Sequence, residues 1–471
     1  MTRRFTPSQA VSDIRRQIDH PIVDSDGHLF ESVPAVREIL GEVASPAIAD
    51  RFMAFLPKAF SSGSVMTPVP PPFCGGPSST LDRLTVVLPR LMYERLDEFG
   101  IDFALLYMGF GLPVTMAAEE DLRRAGARAL NTYYAEAYGP YRDRLEPVAV
   151  IPTHTPEEAL DELEYAVTKL GLKAISMSGV VPRKTRRDGS EVQWLDTLAH
   201  DSLYDYDPFW RRCAELRVVP TFHGLGYGWG SRVSSTNYVY NHLGSFGAAQ
   251  EAICRSLVMA GVPERYPALR FGFLEGGVSW AIQLFGDLLG HYEKRNKDAI
   301  LNTHPSRLDT KEAGELFSEF AEGRTAKHRQ AFDRETLNAS NILVDGAALD
   351  DFAESGISSP DDIVKVFSKQ FFFGCEADDP TNAMAFRPDM IPEGAQIRTM
   401  FASDIGHWDV PDMRDVLPEA WELVEHGMID KSQFRDFACG NVMRMLTAAN
   451  PAFFDGTVVE KTAQGYAAEG K

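Results

Sequence analysis

A chain of 471 residues, 44% hydrophobic and 24% charged, lies in the ordinary globular range and carries enough apolar material for a large core. Its net charge of −20 at pH 7 argues against general nucleic-acid binding, which needs a basic surface to meet phosphates. No run of about 18 apolar residues is present, so no membrane-spanning helix is expected. The opening MTRRFTPSQAVSDIRRQIDH has no apolar signal core, and Cys74, Cys213, Cys254, Cys375 and Cys439 include no CxxC pair. A reducing, cytoplasmic setting is therefore expected, without disulfides or a thiolate zinc site.

Short apolar runs then recur, separated by helical patterns. The first is Pro21–Asp24. The second is Asp102–Met108, preceded by the helical stretch LPRLMYERLDEFG. Glu146–Ile151 is the third and Lys173–Met177 the fourth. Between them lies PEEALDELEYAVTKLGL, whose Thr155, Pro156 and first-turn acids form a favourable helix start. The fifth is Arg217–Phe222, after DPFWRRCAEL, and the sixth is Leu269–Leu274. Gln370–Phe373 and Arg398–Ala402 complete the series. Continuous apolar strands alternating with helices predict a parallel sheet covered on both faces, and eight such units close into a (β/α)₈ TIM barrel of the α/β class. An open doubly wound sheet fits less well, because no glycine-rich dinucleotide fingerprint follows the first strand.

Residues 1–20 read as an N-terminal extension, 21–450 as the barrel and 451–471 as a C-terminal tail. Two insertions interrupt the repeat. Residues 59–90, rich in Pro, Gly and Ser, form a long loop between the first two strands and read as a lid over substrate. Residues 295–368 are polar and helix-forming, a helical insertion between strands six and seven.

The residues after each strand point to one common mouth, where barrel active sites sit. Asp24-Ser25-Asp26-Gly27-His28 and Glu31 follow the first strand, and His223 the fifth. Glu275-Gly276-Gly277 follows the sixth, Glu376 the seventh, and Ser403-Asp404-Ile405-Gly406-His407 the eighth. Imidazole nitrogens and carboxylate oxygens suit a divalent Zn, Mn or Fe ion. Asp26 and His28, two apart on extended chain, share a side and can grip one ion. Each residue alone has a structural explanation, such as a cap, a turn or an ion pair; the joint pattern carries the signal. The histidines away from strand ends, His200 among them, read as surface or packing residues.

These residues lie in a longer pattern made of VDSDGHLFE, YERLDEFGIDFALLY, RALNTYYAEAYGPYRDRLEPVAVIP, VVPTFH, YPALRFGFLEGG, FASDIGHWD and FRDFACGNVMRML. Over residues 20–450 it resembles the amidohydrolase-related family that includes aminocarboxymuconate semialdehyde decarboxylase and the resorcylate decarboxylases. The resemblance implies a barrel with a metal at its mouth. Asp26 and His28 match the family's first metal motif, His223 its fifth-strand ligand, Asp404 its eighth-strand ligand, and His407 the histidine that follows. One position departs from the pattern: Glu275 stands where the family usually has a histidine.

The expected function is a metal-dependent hydrolase or non-oxidative decarboxylase acting on a small carboxylated, ester or amide substrate. Asp26, His28, His223, Asp404 and Glu275 are the expected ligands. Asp404, Glu275 and His407 are the expected proton-transfer groups. Glu31, Glu376 and His242 are candidates for a second ion or for support of the ligands. Phe73 and Trp229, with Tyr227 and Tyr238 near them, are candidates for substrate contact. One or two ions are accommodated by this set. A carboxylate-bridged diiron oxygenase that hydroxylates an acyl thioester, as in a relative with this kind of barrel, is the second reading, and a non-catalytic barrel the third. The expected partner is a small molecule, and a homodimer is the assembly considered.

Overall fold

The structure, a computed structural model, describes residues 4–56, 79–109, 111–187, 189–226, 228–304, 307–330 and 349–469. Ten strands are present among them: β1 (Val23–His28), β2 (Phe103–Tyr107), β3 (Leu145–Val150), β4 (Ala174–Met177), β5 (Val181–Arg187), β6 (Ser190–Asp196), β7 (Pro220–Phe222), β8 (Phe271–Phe273), β9 (Phe371–Glu376) and β10 (Arg398–Ala402). Eight of them form one sheet in the order β1-β2-β3-β4-β7-β8-β9-β10, and every assigned pair within it is parallel. The sheet curls into a (β/α)₈ barrel. β1 and β10 meet through irregular bonds: the His28 N–H donates to the Ile405 carbonyl and the Asp404 N–H to the Asp26 carbonyl, both at 2.9 Å.

The apolar runs form strands because both faces are covered, which leaves no exposed face to alternate with. Rings from successive strands stack, Phe222 on Phe273 at 5.5 Å and Phe273 on Phe373 at 5.7 Å. On the outside, the helix Pro156–Glu164 begins as its sequence requires, with the Thr155 hydroxyl accepting the Glu158 N–H. The helix Gln9–Arg15 buries Val11 and Ile14 against the core, and Phe453, Phe454, Val459 and Ala463 join the same core from the other end of the chain. The helical insertion includes Thr310–Phe320 and Gly323–Ala326. Most of the expected lid, with Phe73, lies outside the described residues, as does Tyr227. Among the described residues, no helix is long and apolar enough to cross a membrane.

Several strand boundaries differ from the apolar pattern. β1 does not stop at Asp24 but runs to His28, and all six of its residues are buried. The polar DSDGH segment stays extended because β2 pairs with it, Gly27 beside Leu106 and His28 beside Tyr107, after a bulge between Asp24 and Gly27. β7 and β8 are both shorter than expected, and β9 continues through Glu376. The antiparallel β5–β6 hairpin was not expected. Its strands are exposed over residues 184–186 and 190–193 and lack a buried-strand signature, although the Asp188-Gly189 pair between them is a hairpin-turn signal.

Candidate metal centre

Five ligand-type side chains converge at the mouth: Asp26 and His28 from β1, His223 at the end of β7, Glu275 past β8 and Asp404 past β10. Their exposures are 1%, 0%, 4%, 7% and 3%. Asp26 and His28 share a side because alternate residues of a strand do. Glu275 and Asp404 occupy left-handed backbone, φ 58° and 49°, which costs energy for any residue with a Cβ and is concentrated at functional corners of folds. The strand ends are held by backbone bonds from His223 to Met177 and from Leu274 to Phe222. The Gln250 amide donates to the carbonyls of Phe222 and Leu274, tying β7 to β8.

The ligand atoms form two overlapping groups, His28, Glu275, Asp404 and His407, and Asp26, His28 and His223; within each group they lie within 4.8 Å of one another. His28 Nε2 is 2.9 Å from Asp404 Oδ1 and 3.7 Å from Asp26 Oδ1. His223 Nε2 is 3.7 Å from Asp26 Oδ1 and 3.2 Å from Glu275 Oε2. His407 stacks on His28 at 3.8 Å, and its Nδ1 lies 2.9 Å from Asp404 Oδ1 and 3.3 Å from Glu275 Oε1.

Apart from the His407 Nδ1 bond to Asp404 Oδ2 at 3.0 Å, proximity here does not amount to hydrogen bonding. Both Asp26 oxygens, both ring nitrogens of His28 and of His223, Glu275 Oε2 and Asp404 Oδ1 are buried without a hydrogen-bond partner. Buried polar atoms are seldom left so, because each forfeits its bonds to water. Atoms spaced this way suit a cation held at about 2.1 Å by nitrogen and oxygen. The donor set therefore fits a divalent metal.

The electrostatics agree. Burial, followed by repulsion from Glu275 and Asp404, raises Asp26 well above the usual carboxylate range. Burial and Asp404 push Glu275 up to about 8. Burial lowers His28 to about 4 and His223 to about 3, so both rings stay neutral, the form that binds metals. Burial also acts on the His407–Asp404 pair but is outweighed there: the carboxylates hold His407 well above its ordinary value, and the imidazoles hold Asp404 below its own. Crowded carboxylates take protons when no cation is near; a bound cation reverses that preference.

The remaining expected residues are placed separately. Glu376 ends β9 and is raised to about 9 by burial, then Asp404 and Glu275, but it joins neither ligand group. Glu31 turns toward buried tyrosines and accepts the Tyr134 hydroxyl at 2.5 Å. His242 sits among rings, 5.1 Å from Tyr238, 5.6 Å from Phe246 and 6.0 Å from Trp408, and Phe246 in turn lies 5.9 Å from His223. Trp229 packs against the apolar core. Sequence reasoning missed Gln250, Phe246, Trp408, Asp24 and Ser403. The last two flank ligands in DSD and SD and were within reach of it; Gln250 and Phe246, in a helix, carried no signal.

The amidohydrolase family model matches residues 85–300 of this chain. Gamma-resorcylate decarboxylase from Rhodococcus jostii (strain RHA1) is 29% identical over 151 residues, which are 31% of this chain and 44% of the relative. The match thus spans less than half of that relative's length. An amidohydrolase structure from Mycobacterium avium subsp. paratuberculosis K-10 superposes with TM-score 0.52 at 15% identity, covering 91% of this chain and all of that one, a likeness of fold. A dihydroxybenzoic acid decarboxylase from Polaromonas sp. JS666, with bound manganese and 2-nitroresorcinol, gives TM-score 0.49 at 17% identity, covering 91% and 97% of the two chains.

Proposed function

We propose that this chain is a member of the amidohydrolase family and a divalent-metal-dependent enzyme that cleaves a small aromatic carboxylate by non-oxidative decarboxylation. The observation that carries the reading is the set of buried, unpartnered nitrogens and oxygens at the mouth. Asp26, His28, His223 and Asp404 would hold the metal, with Glu275 at its side. When bound, the metal supplies Lewis acidity toward a substrate oxygen or water. The local similarity to gamma-resorcylate decarboxylase supports the aromatic carboxylate.

Within the chain, Glu275 is the proton donor. Burial pushes its carboxyl upward, to about 8 when no cation is bound, the direction required of a group that protonates a ring carbon. His407, 3.3 Å from Glu275 Oε1, is the group that returns a proton to it. The rings of Tyr238, His242, Phe246 and Trp408 form an apolar rim beside the ligands, suited to a planar substrate. Hydrolysis of an ester or amide is the second reading. It is favoured by the same carboxyl, which would act as a base toward water once a cation draws its proton off.

The test is elemental analysis of the purified protein, with a screen of hydroxylated benzoic acids and their esters and amides. Carbon dioxide release from an acid, independent of oxygen, is the expected result. Glu275→Gln is expected to keep the metal and lose about 10²–10⁴-fold in turnover. Loss of metal would instead make Glu275 a ligand, and an unchanged rate would remove it from the mechanism. We also place the protein in the cytoplasm, since the described cysteines Cys213, Cys254, Cys375 and Cys439 are free and buried. A homodimer is proposed as the assembly, to be checked by light scattering.

A further inference from the structure

Two of the segments that build the site stand on two sides of a seam. Asp26 and His28 belong to β1, and Asp404 and His407 follow β10, the first and last strands of the barrel. No regular ladder joins these strands. The shared ion would be held in part by these two segments, which the Asp404–Asp26 and His28–Ile405 backbone bonds and the Ser25 hydroxyl bond to the Phe401 carbonyl already join, and the spacing of their side chains needs a further constraint.

Asp24 meets that need. It is fully buried. Its Oδ1 accepts the Ser403 N–H at 2.9 Å and the Asp26 N–H at 3.2 Å. Its Oδ2 accepts the Ser403 hydroxyl at 2.5 Å. The sense of that last bond is set from the far side: the Ile405 N–H donates to Ser403 Oγ at 3.2 Å, leaving the hydroxyl proton for Asp24. One carboxylate thus binds the residue before Asp404 twice and the backbone of Asp26 once. Gly27 is matched to it, since a Cβ there would lie 2.7 Å from Asp24 Oδ2.

We infer that Asp24 and Ser403 are a positioning pair that sets the spacing of Asp26 and His28 against Asp404, and hence the affinity and geometry of the metal site. The pair touches no substrate and contributes no ligand atom. It fixes backbone to which ligands are attached, and displacements of a few tenths of an ångström there change how many ligands reach one ion. This inference rests on the proposed metal centre.

The experiment loads the intact, metal-free protein with Co²⁺, and reads affinity by titration and coordination by the visible ligand-field spectrum. The variants are Asp24→Asn, Ser403→Ala and Gly27→Ala. Thr447→Val serves as the control, because it deletes a buried hydroxyl bond to the Met443 carbonyl within one helix and removes none of the Asp24–Ser403 bonds. Asp24→Asn and Ser403→Ala are expected to weaken Co²⁺ binding about 10–100-fold and to alter the spectrum, whereas Thr447→Val lowers only the melting temperature. Gly27→Ala is expected to do the same as Asp24→Asn while leaving every hydrogen-bonding group in place. Ser403→Thr, which restores the hydroxyl, is expected to recover most of the affinity. If Asp24→Asn does not fold, Ser403→Ala decides. Wild-type affinity and spectrum in folded Ser403→Ala overturn the inference and leave the metal centre standing; a wild-type protein that takes up no Co²⁺ overturns the metal centre itself.

Discussion

Two buried charged clusters lie in this barrel, and they are built on opposite terms. Around the helix Pro156–Glu164 and the β5–β6 hairpin, Arg123 grips Glu158 with Nε at 3.0 Å and Nη2 at 2.8 Å and gives Nη1 to the Ala117 carbonyl. Arg183 bonds Asp196, the Tyr206 hydroxyl and the His154 carbonyl. No side-chain nitrogen or oxygen of Arg123, Glu158, Arg183 or Asp196 is buried without a partner. The mouth cluster is equally buried but draws no lysine or arginine into an ion pair with Asp26, Glu275 or Asp404 among the described residues, and it leaves atoms of five residues unpartnered. The first cluster carries its own cations. The second has only His407, beside Asp404 and Glu275, and its unpartnered atoms would be satisfied by a cation from outside. The contrast marks the mouth as a site, since burial and charge are common to both clusters.

The largest effect separates the clusters by breaking the self-sufficient one. Arg123→Met leaves Glu158 buried beside no cation and is expected to cost about 3–5 kcal/mol of stability by denaturant unfolding, with metal content unchanged. Adding Glu158→Leu should recover much of that loss, because two apolar groups replace a pair instead of orphaning one charge. A single-variant cost under about 1 kcal/mol would mean that this pair is not the closed network described. The mouth should respond to metal. Zn²⁺ or Mn²⁺ at about 100 times its dissociation constant should stabilise the metal-free protein by about 2.7 kcal/mol, seen as a rise in melting temperature. His223→Ala should abolish that rise, and a protein whose melting point ignores all three of Zn²⁺, Mn²⁺ and Fe²⁺ would erase the contrast.

How much of this could be read from sequence follows the same division. The eight barrel strands were legible because buried parallel strands are continuous apolar runs, and Phe371–Phe373 or Val148–Val150 need no context to be recognised. The end of β1 was not legible that way: Asp24, Ser25, Asp26 and His28 are polar and fully buried, and only their neighbours across the barrel explain why they stay extended. The convergence of Asp26, His28, His223, Glu275 and Asp404 could be anticipated because barrel topology sends strand ends to one place. Glu31 and Glu376 satisfied the same rule and joined neither ligand group, since the rule places a backbone and leaves the side chain's direction to packing. Gln250, which ties two strand ends from a helix, is a tertiary contact with no local signature.

Two histidines give finer tests. His154, at the edge of the closed cluster, is lowered to about 3 by burial, then by the charges of Arg123 and Arg183. The native ring stays neutral where the unfolded one, near its ordinary 6.5, takes a proton. The unfolded state therefore binds more protons between those values. The stability from this group is fully present above about pH 6.5 and is lost as pH falls below it, by about 2 kcal/mol between pH 7 and pH 5. His154→Gln should flatten that part of the pH–stability curve, and an unchanged slope would show that the closed cluster does not exclude charge from this ring.

His200 gives the smallest effect and the sharpest control on reading ligands from residue types. It has two carboxylates nearby, Asp201 Oδ2 at 3.6 Å and Glu354 Oε2 at 3.7 Å, a composition much like the mouth's, yet its side chain is 44% exposed. Water already solvates these groups, so no ion is needed to satisfy them, and screened surface pairs contribute little. Its anchoring bond, from its backbone N–H to the Ser256 hydroxyl, survives truncation of the side chain. His200→Ala should change stability by less than about 0.5 kcal/mol and leave metal content and affinity as they were. A measurable loss of bound metal would mean that burial is not what distinguishes the mouth from any other gathering of imidazole and carboxylate on this protein.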